Sequence, residues 1–137
     1  VRTTGVAVLT TAPAASAVER TVDTGQALGL DIPTIEERVE SALTTAVRDC
    51  WTDIDPNGIF VTGGTTAKSV QRTLGISAIE LTGTTVEAGV PVAQFEDSDA
   101  GPVYFVTKAG GFGDRETMRR IVQYLSQVST RDSELSE

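Results

Sequence analysis

The sequence predicts an α/β domain: one open, largely parallel or mixed sheet with flanking helices. Three observations carry that expectation. Short apolar runs end in glycine, stretches of helical period separate them, and 137 residues suit one compact core. Residues 1–128 make up the predicted domain, and the polar stretch 129–137 a flexible tail.

Gly5-Val6-Ala7-Val8-Leu9-Thr10 is an apolar run bounded by Gly5 and Pro13, and predicts a buried strand. A short helix is expected around Ser16–Arg20. The clearest helix follows, because Thr34 and Glu37 have capping-box spacing with Pro33 just outside. Ile35, Val39, Ala42, Leu43, Ala46, Val47 and Cys50 share one face of it. Asp53–Gly58 then supplies a turn, and Ile59-Phe60-Val61 a strand.

Thr65 or Thr66 is placed to cap the next helix, which carries Ala67, Val70 and Leu74 and ends at Gly75. Ile76–Leu81 predicts another strand, Gly83–Pro91 a loop and Val92–Phe95 an edge strand. Beyond the acidic turn Glu96–Asp99, Val103–Val106 predicts a central strand. The last helix starts near Asp114 and presents Met118, Ile121, Val122 and Leu125 on its apolar face. No internal repeat is present.

Composition narrows the functional classes. Lys and Arg total 11 against 19 Asp and Glu, a net charge of -8. Such a balance argues against nucleic acid as partner, since phosphate-backbone binding needs a basic footprint. It leaves room for a nucleotide, whose phosphates are held locally by amides and one lysine. No apolar run is long enough to predict a membrane partner. Cys50 is the single cysteine, expected as a buried small hydrophobe beside Trp51; with no leader pattern in view, the predicted compartment is cytoplasmic. The chain begins at Val1 rather than Met, which predicts a processed, trimmed or excised polypeptide.

The absence of histidine excludes a Ser-His-Asp triad and His-ligated metal within these residues. Asp97 and Asp99 read better as a solvated acidic turn than as a metal pair, so no protein metal site is predicted. No catalytic residue is assigned. Asp114 suits helix capping first and a general base second.

The chemistry concentrates in two loops, Thr62-Gly63-Gly64-Thr65-Thr66 and Lys108-Ala109-Gly110-Gly111-Phe112-Gly113-Asp114. In each, an apolar strand ends, glycines pass and a helix begins. New helices expose unpaired amides with a positive dipole end, and glycine lets a ligand approach the backbone closely. In open α/β sheets ligands bind beyond the carboxyl ends of the strands. Gly63 and Gly64 would supply close approach, Thr65 and Thr66 hydroxyls, and Lys108 a mobile point charge toward phosphate. The plainer alternative is a pair of tight strand–helix turns with a capping threonine and a solvated lysine. Neither loop is a G-x-x-x-x-G-K-[ST] phosphate loop or a G-x-G-x-x-G dinucleotide fingerprint.

Gly58-Ile59-Phe60-Val61-Thr62-Gly63-Gly64-Thr65-Thr66-Ala67 resembles the glycine motif of the C-terminal, nucleotide-binding domain of the four-carbon acid sugar kinase family. Val106–Asp114 is similar to that domain's second motif, with Leu74-Gly75-Ile76 and Glu87-Ala88-Gly89-Val90-Pro91 as further landmarks in the family's order. The resemblance implies ATP- and Mg²⁺-dependent phosphorylation of the terminal hydroxyl of a four-carbon sugar acid such as threonate, erythronate or a 3-oxo-tetronate. It implies ATP contacts at Gly63, Gly64, Thr65, Thr66, Gly110, Gly111 and Gly113; Lys108 is added on chemical grounds. Thr65 stands where many relatives carry an acidic or other polar residue, a difference that leaves a backbone role intact. The sugar acid is expected on a separate N-terminal domain, so this chain alone is expected to be inactive as a kinase. A nucleotide-responsive regulatory domain and another phosphotransferase are the alternatives, and homo-oligomeric assembly stays open.

Overall fold

The structure, a computed structural model, describes residues 5–97 and 101–135. It divides into two compact units, Val1–Asp53 and Ile54–Glu137.

The first unit is helical. Helix α1 spans Ala15–Ala27 and α2 spans Ile32–Ile54. The first is more than twice the length expected around Ser16–Arg20. It ends in a Schellman motif: Gly29 takes φ +78°, its amide bonds Gln26 O at 2.9 Å, and the Leu30 amide bonds Gly25 O at 3.0 Å. Gly25 faces Ile35, and a methyl group at Gly25 would collide with that side chain, so the absence of a Cβ sets how closely α1 and α2 approach.

Asp31, rather than Thr34, caps α2: the Thr34 amide donates to Asp31 Oδ1 at 3.0 Å. Pro33 therefore sits in the first turn, where a missing N–H costs no intrahelical bond. Ile35 is buried, while Val39, Leu43 and Cys50 are half-buried and Ala42 is exposed, so Cys50 is less enclosed than its composition-based reading implied.

Gly5–Thr10 is not a strand. Val8 and Leu9 are 71% and 49% exposed, and none of the described strands pairs with the run. An apolar run becomes a strand only through ladder hydrogen bonds to a neighbour, which hydropathy alone does not supply.

The second unit carries a four-stranded sheet in the order β1-β4-β3-β2: β1 is Gly58–Thr62, β2 Glu80–Glu87, β3 Val90–Asp97 and β4 Gly101–Lys108. β1 runs parallel to β4, while β3 is antiparallel to both β4 and β2. The sheet is thus mixed. β4 is interior as expected, but so is β3, and β1 and β2 form the two edges. Glu80–Glu87 runs through most of the predicted 83–91 loop, because the β2–β3 connection is a tight turn through Ala88 and Gly89 (φ +77°).

Helix α3, Gly64–Thr73, packs on β1 and β4, and α4, Thr117–Leu135, packs on β1 and β2. Val90, Val92, Val106 and Ile121 form a fully buried cluster, joined by Phe60, Tyr104, Tyr124 and Leu125. The pleat sends alternate residues to the other face, where Ala93 pairs with Phe105 and Phe95 with Val103. Phe95 and Phe105 meet edge to face, with centroids 6.2 Å apart. Met118, expected on the apolar face of α4, is 51% exposed; Thr117 takes the buried place at 1%. Helical backbone continues past Val128 to Leu135, into the stretch expected as a tail. Of the acidic turn expected at Glu96–Asp99, Glu96 and Asp97 instead belong to β3, where they pair with Pro102 and Gly101 of β4, and residues 98–99 lie outside the described residues.

Candidate functional site

β1 and β4 are adjacent, parallel and in register, with Val61 opposite Thr107 and Thr62 opposite Lys108. Each strand delivers its glycine loop at its carboxyl end, so the two loops emerge side by side. The Gly63 amide donates to Lys108 O at 3.2 Å and ties one loop directly to the other. A pair of unrelated turns on opposite faces of the domain is excluded by that bond.

Gly63 takes φ +96°, a left-handed conformation that disfavours any residue with a Cβ. It is itself the N-cap of α3, and no side chain caps that helix. Neither Thr65 nor Thr66 therefore performs the expected capping; both lie inside the first turn with Gly64. The first-turn amides of an α-helix lack intrahelical acceptors and carry the positive end of its dipole. At the far end, Gly75 (φ +70°) closes a Schellman motif, with the Ile76 amide on Gln71 O at 2.9 Å.

The second loop turns sharply, the Phe112 amide bonding Ala109 O at 3.1 Å. Gly64, Gly110 and Gly111 each face open space, with no atom within 4 Å of where a Cβ would stand. These glycines thus border room rather than fill a packing constraint. The Lys108 ammonium folds over its own loop, 3.2 Å from Ala109 O and 3.4 Å from Gly110 O. Two carbonyl contacts of this kind are weak holds on a flexible cation, which is free to swing toward an anion in the adjoining space.

Asp114 opens the turn that leads into α4 rather than capping the helix, which begins three residues on at Thr117; its Oδ1 accepts from the Glu116 amide at 2.8 Å. That amide first, and the Arg120 guanidinium second, hold its carboxyl below the ordinary 3.8. Sequence reasoning missed three residues that pack around it. Arg120 Nη2 lies 2.7 Å from Asp114 Oδ1 and 2.6 Å from Glu87 Oε2. Thr117 Oγ1 donates to Glu87 Oε1 at 2.6 Å and accepts from the Asp114 amide at 2.7 Å. Both carboxylates raise the Arg120 pKa further above its ordinary value, Glu87 contributing most. The available signal was spacing: Thr117 and Arg120 follow Asp114 at steps of three on a helix start, and Glu87 heads the Glu87–Pro91 landmark.

Among the described residues, no group of His, Cys, Asp or Glu could hold a metal ion, and no helix is long and apolar enough to cross a membrane. A separate cavity of about 490 Å³ in the first unit is lined by α1 and α2 residues including Arg20, Gly25, Ile35 and Arg38. It contains no part of either glycine loop; the loop pair is the better candidate because two elements converge on it with amides, a lysine and open space.

A family model described as the nucleotide-binding C-terminal domain matches residues 2–118. The chain is 30% identical over 115 residues to the D-threonate kinase of Bordetella bronchiseptica, an alignment covering 84% of this chain and 27% of that enzyme. It therefore spans about a quarter of that relative's length. It is also similar to a crystal structure of a domain of unknown function from the same organism, a domain-swapped dimer with bound citrate. That match has 31% identity and a TM-score of 0.59, covering 71% of this chain and 23% of the other. A second crystal form of that dimer matches at 32% identity and a TM-score of 0.56, with the same coverage. The chain belongs to the nucleotide-binding C-terminal domain family, related to the four-carbon acid sugar kinases.

Proposed function

We propose that this chain is the ATP-binding part of a kinase that phosphorylates the terminal hydroxyl of a four-carbon sugar acid. The observation that carries the reading is the register of β1 with β4, which joins the two glycine loops through Gly63 N–H and Lys108 O. Amides of Gly63, Gly64, Thr65 and Thr66 would hold one part of the nucleotide's phosphates, and Gly110, Gly111 and Gly113 another. Lys108 would leave its loop carbonyls to meet the added negative charge.

The residues fit such a group. Phosphate needs donors with space before them, and an uncapped helix start beside three open glycine positions supplies both. Mg²⁺ keeps much of its water shell and is held largely through nucleotide phosphates, where it offsets charge on the transferring group. The chain's own contribution is to bind and orient. The acceptor hydroxyl must come in line from a sugar-acid site; this reading puts that site on residues outside this chain, which spans about a quarter of the D-threonate kinase it resembles. The dimeric relatives support an oligomeric assembly as well.

Calorimetric titration of MgATP into the wild-type chain and into Gly111→Asp tests the loop assignment. The substituted side chain enters open space at an unstrained backbone position, so the fold is expected to persist while the new carboxylate repels phosphate. Affinity should fall at least tenfold, about the effect of one like charge at close range. Unchanged affinity would remove this loop from the site. Assays of the complete enzyme with threonate, erythronate and 3-oxo-tetronates, following ATP use and product together, distinguish a kinase from a regulatory nucleotide domain. Turnover by the 137-residue chain alone would contradict the division of labour proposed.

A further inference from the structure

Four contacts converge on the second glycine loop from outside it. The Phe112 ring lies against Gly89 in the β2–β3 turn, so closely that a methyl group at Gly89 would overlap it. Gly113 (φ +82°) is wedged against Thr117 Oγ1 and Glu87 Oε1. The Asp114 amide, Thr117 hydroxyl and Glu87 carboxylate form a continuous hydrogen-bonded chain of 2.7 and 2.6 Å. Arg120 closes the circuit by bridging Glu87 and Asp114.

We infer that the Glu87–Gly89 turn and Arg120 form a latch that sets the second glycine loop for anion binding, making Glu87, Thr117 and Arg120 positioning residues. The inference rests on the phosphate reading of that loop.

Two physical arguments support the latch. A glycine-rich loop has much conformational freedom to lose, and contacts from β2 and α4 remove part of that freedom before any ligand arrives. The second argument is electrostatic. Glu87 and Asp114 place two carboxylates beside a loop proposed to receive phosphate, and uncompensated they would repel it. The Arg120 fork serves both at once, a task that a lysine's single ammonium does less completely. The shifts of Asp114 downward and Arg120 upward agree with that mutual stabilisation.

The test compares wild type, Arg120→Met and Arg120→Lys. Arg120 is 36% exposed along its side chain, and Met keeps its apolar stem, so the fold is expected to persist. Amide hydrogen exchange is read across residues 109–116 without ligand, and MgATP affinity by calorimetry. Arg120→Met should speed exchange at the hydrogen-bonded amides of Phe112 and Asp114 about tenfold, the scale of a lost charge-assisted contact, while exchange in the β3 and β4 core stays unchanged. MgATP affinity should fall by about the same factor. Arg120→Lys should recover part of both losses, a rescue that packing alone would not produce.

Loop exchange that stays at the wild-type rate in Arg120→Met overturns the latch, whatever the nucleotide result. Faster loop exchange with unaltered MgATP affinity overturns its role in binding. If loop exchange responds but the wild-type chain takes up no MgATP, the latch stands and the nucleotide reading falls.

Discussion

Replacing Gly113 with alanine separates a glycine required by geometry from one that borders open space. Gly113 sits at φ +82°, where an L-residue with a Cβ is disfavoured by about 1–2 kcal/mol. The added methyl would also collide with Thr117 Oγ1 and stand 2.9 Å from Glu87 Oε1. Those two atoms share a 2.6 Å hydrogen bond, and Thr117 is 1% exposed. Breaking a buried bond of this kind costs about 1–3 kcal/mol. The combined loss should be roughly 2–5 kcal/mol, a drop of at least about 8 °C in Tm for a unit of this size. Gly111→Ala is the matched control. It has an ordinary backbone and no atom within 4 Å, so its stability should stay within about 0.5 kcal/mol of wild type. Urea unfolding followed by far-UV circular dichroism gives both values. Should the two variants differ by less than about 0.5 kcal/mol, the packing assigned to the Gly113–Thr117–Glu87 contact is wrong.

Two further outcomes concern the core and acid stability. Phe105 is 1% exposed and packs edge to face on Phe95; Phe105→Ala should destabilise the sheet unit by about 3–5 kcal/mol in the same urea assay. A loss under about 1 kcal/mol would show that the β3–β4 face relaxes around the cavity. The native Asp114 carboxyl lies below its ordinary 3.8, so it stays ionised at pH values where the unfolded chain takes up a proton. Its stabilising contribution is complete above about pH 3.8 and is lost as pH falls through the lowered native value. Asp114→Asn should therefore flatten the dependence of stability on pH in that acid range, and an unaltered slope in acid titrations would contradict the assignment.

Much of the local structure follows from the amino-acid order. Ile59–Val61 and Val103–Val106 are apolar runs followed by glycine loops, and both lie in strands that end within two residues of the first loop glycine. Asp114 accepts from a backbone amide at the entry to α4, as a short acceptor there should, although the helix itself begins three residues on. Other local features were misread because several residues competed for one role. Asp31 and Thr34 both suit capping, and Pro33 tolerates the first turn as readily as the position before it; α2 uses Asp31. Gly63 takes the cap of α3 by its backbone angle, displacing the threonines.

By itself the amino-acid order determined an α/β class with a largely parallel or mixed sheet, two strand–glycine–helix junctions and the family those junctions resemble. Periodicity and chain breakers act within a few residues, so they remain readable without the fold. Tertiary structure decided which strands are neighbours. Strand pairing joins residues far apart in sequence: Thr62 meets Lys108, and Glu87 meets Arg120 across 33 positions. Hydropathy describes which side of a strand wants burial but not which strand it will hydrogen-bond. For that reason Gly5–Thr10 looked like a strand and is not one, and Val92–Phe95 looked like an edge strand and lies inside the sheet as part of β3. The same long-range pairing turned two glycine loops into one candidate site.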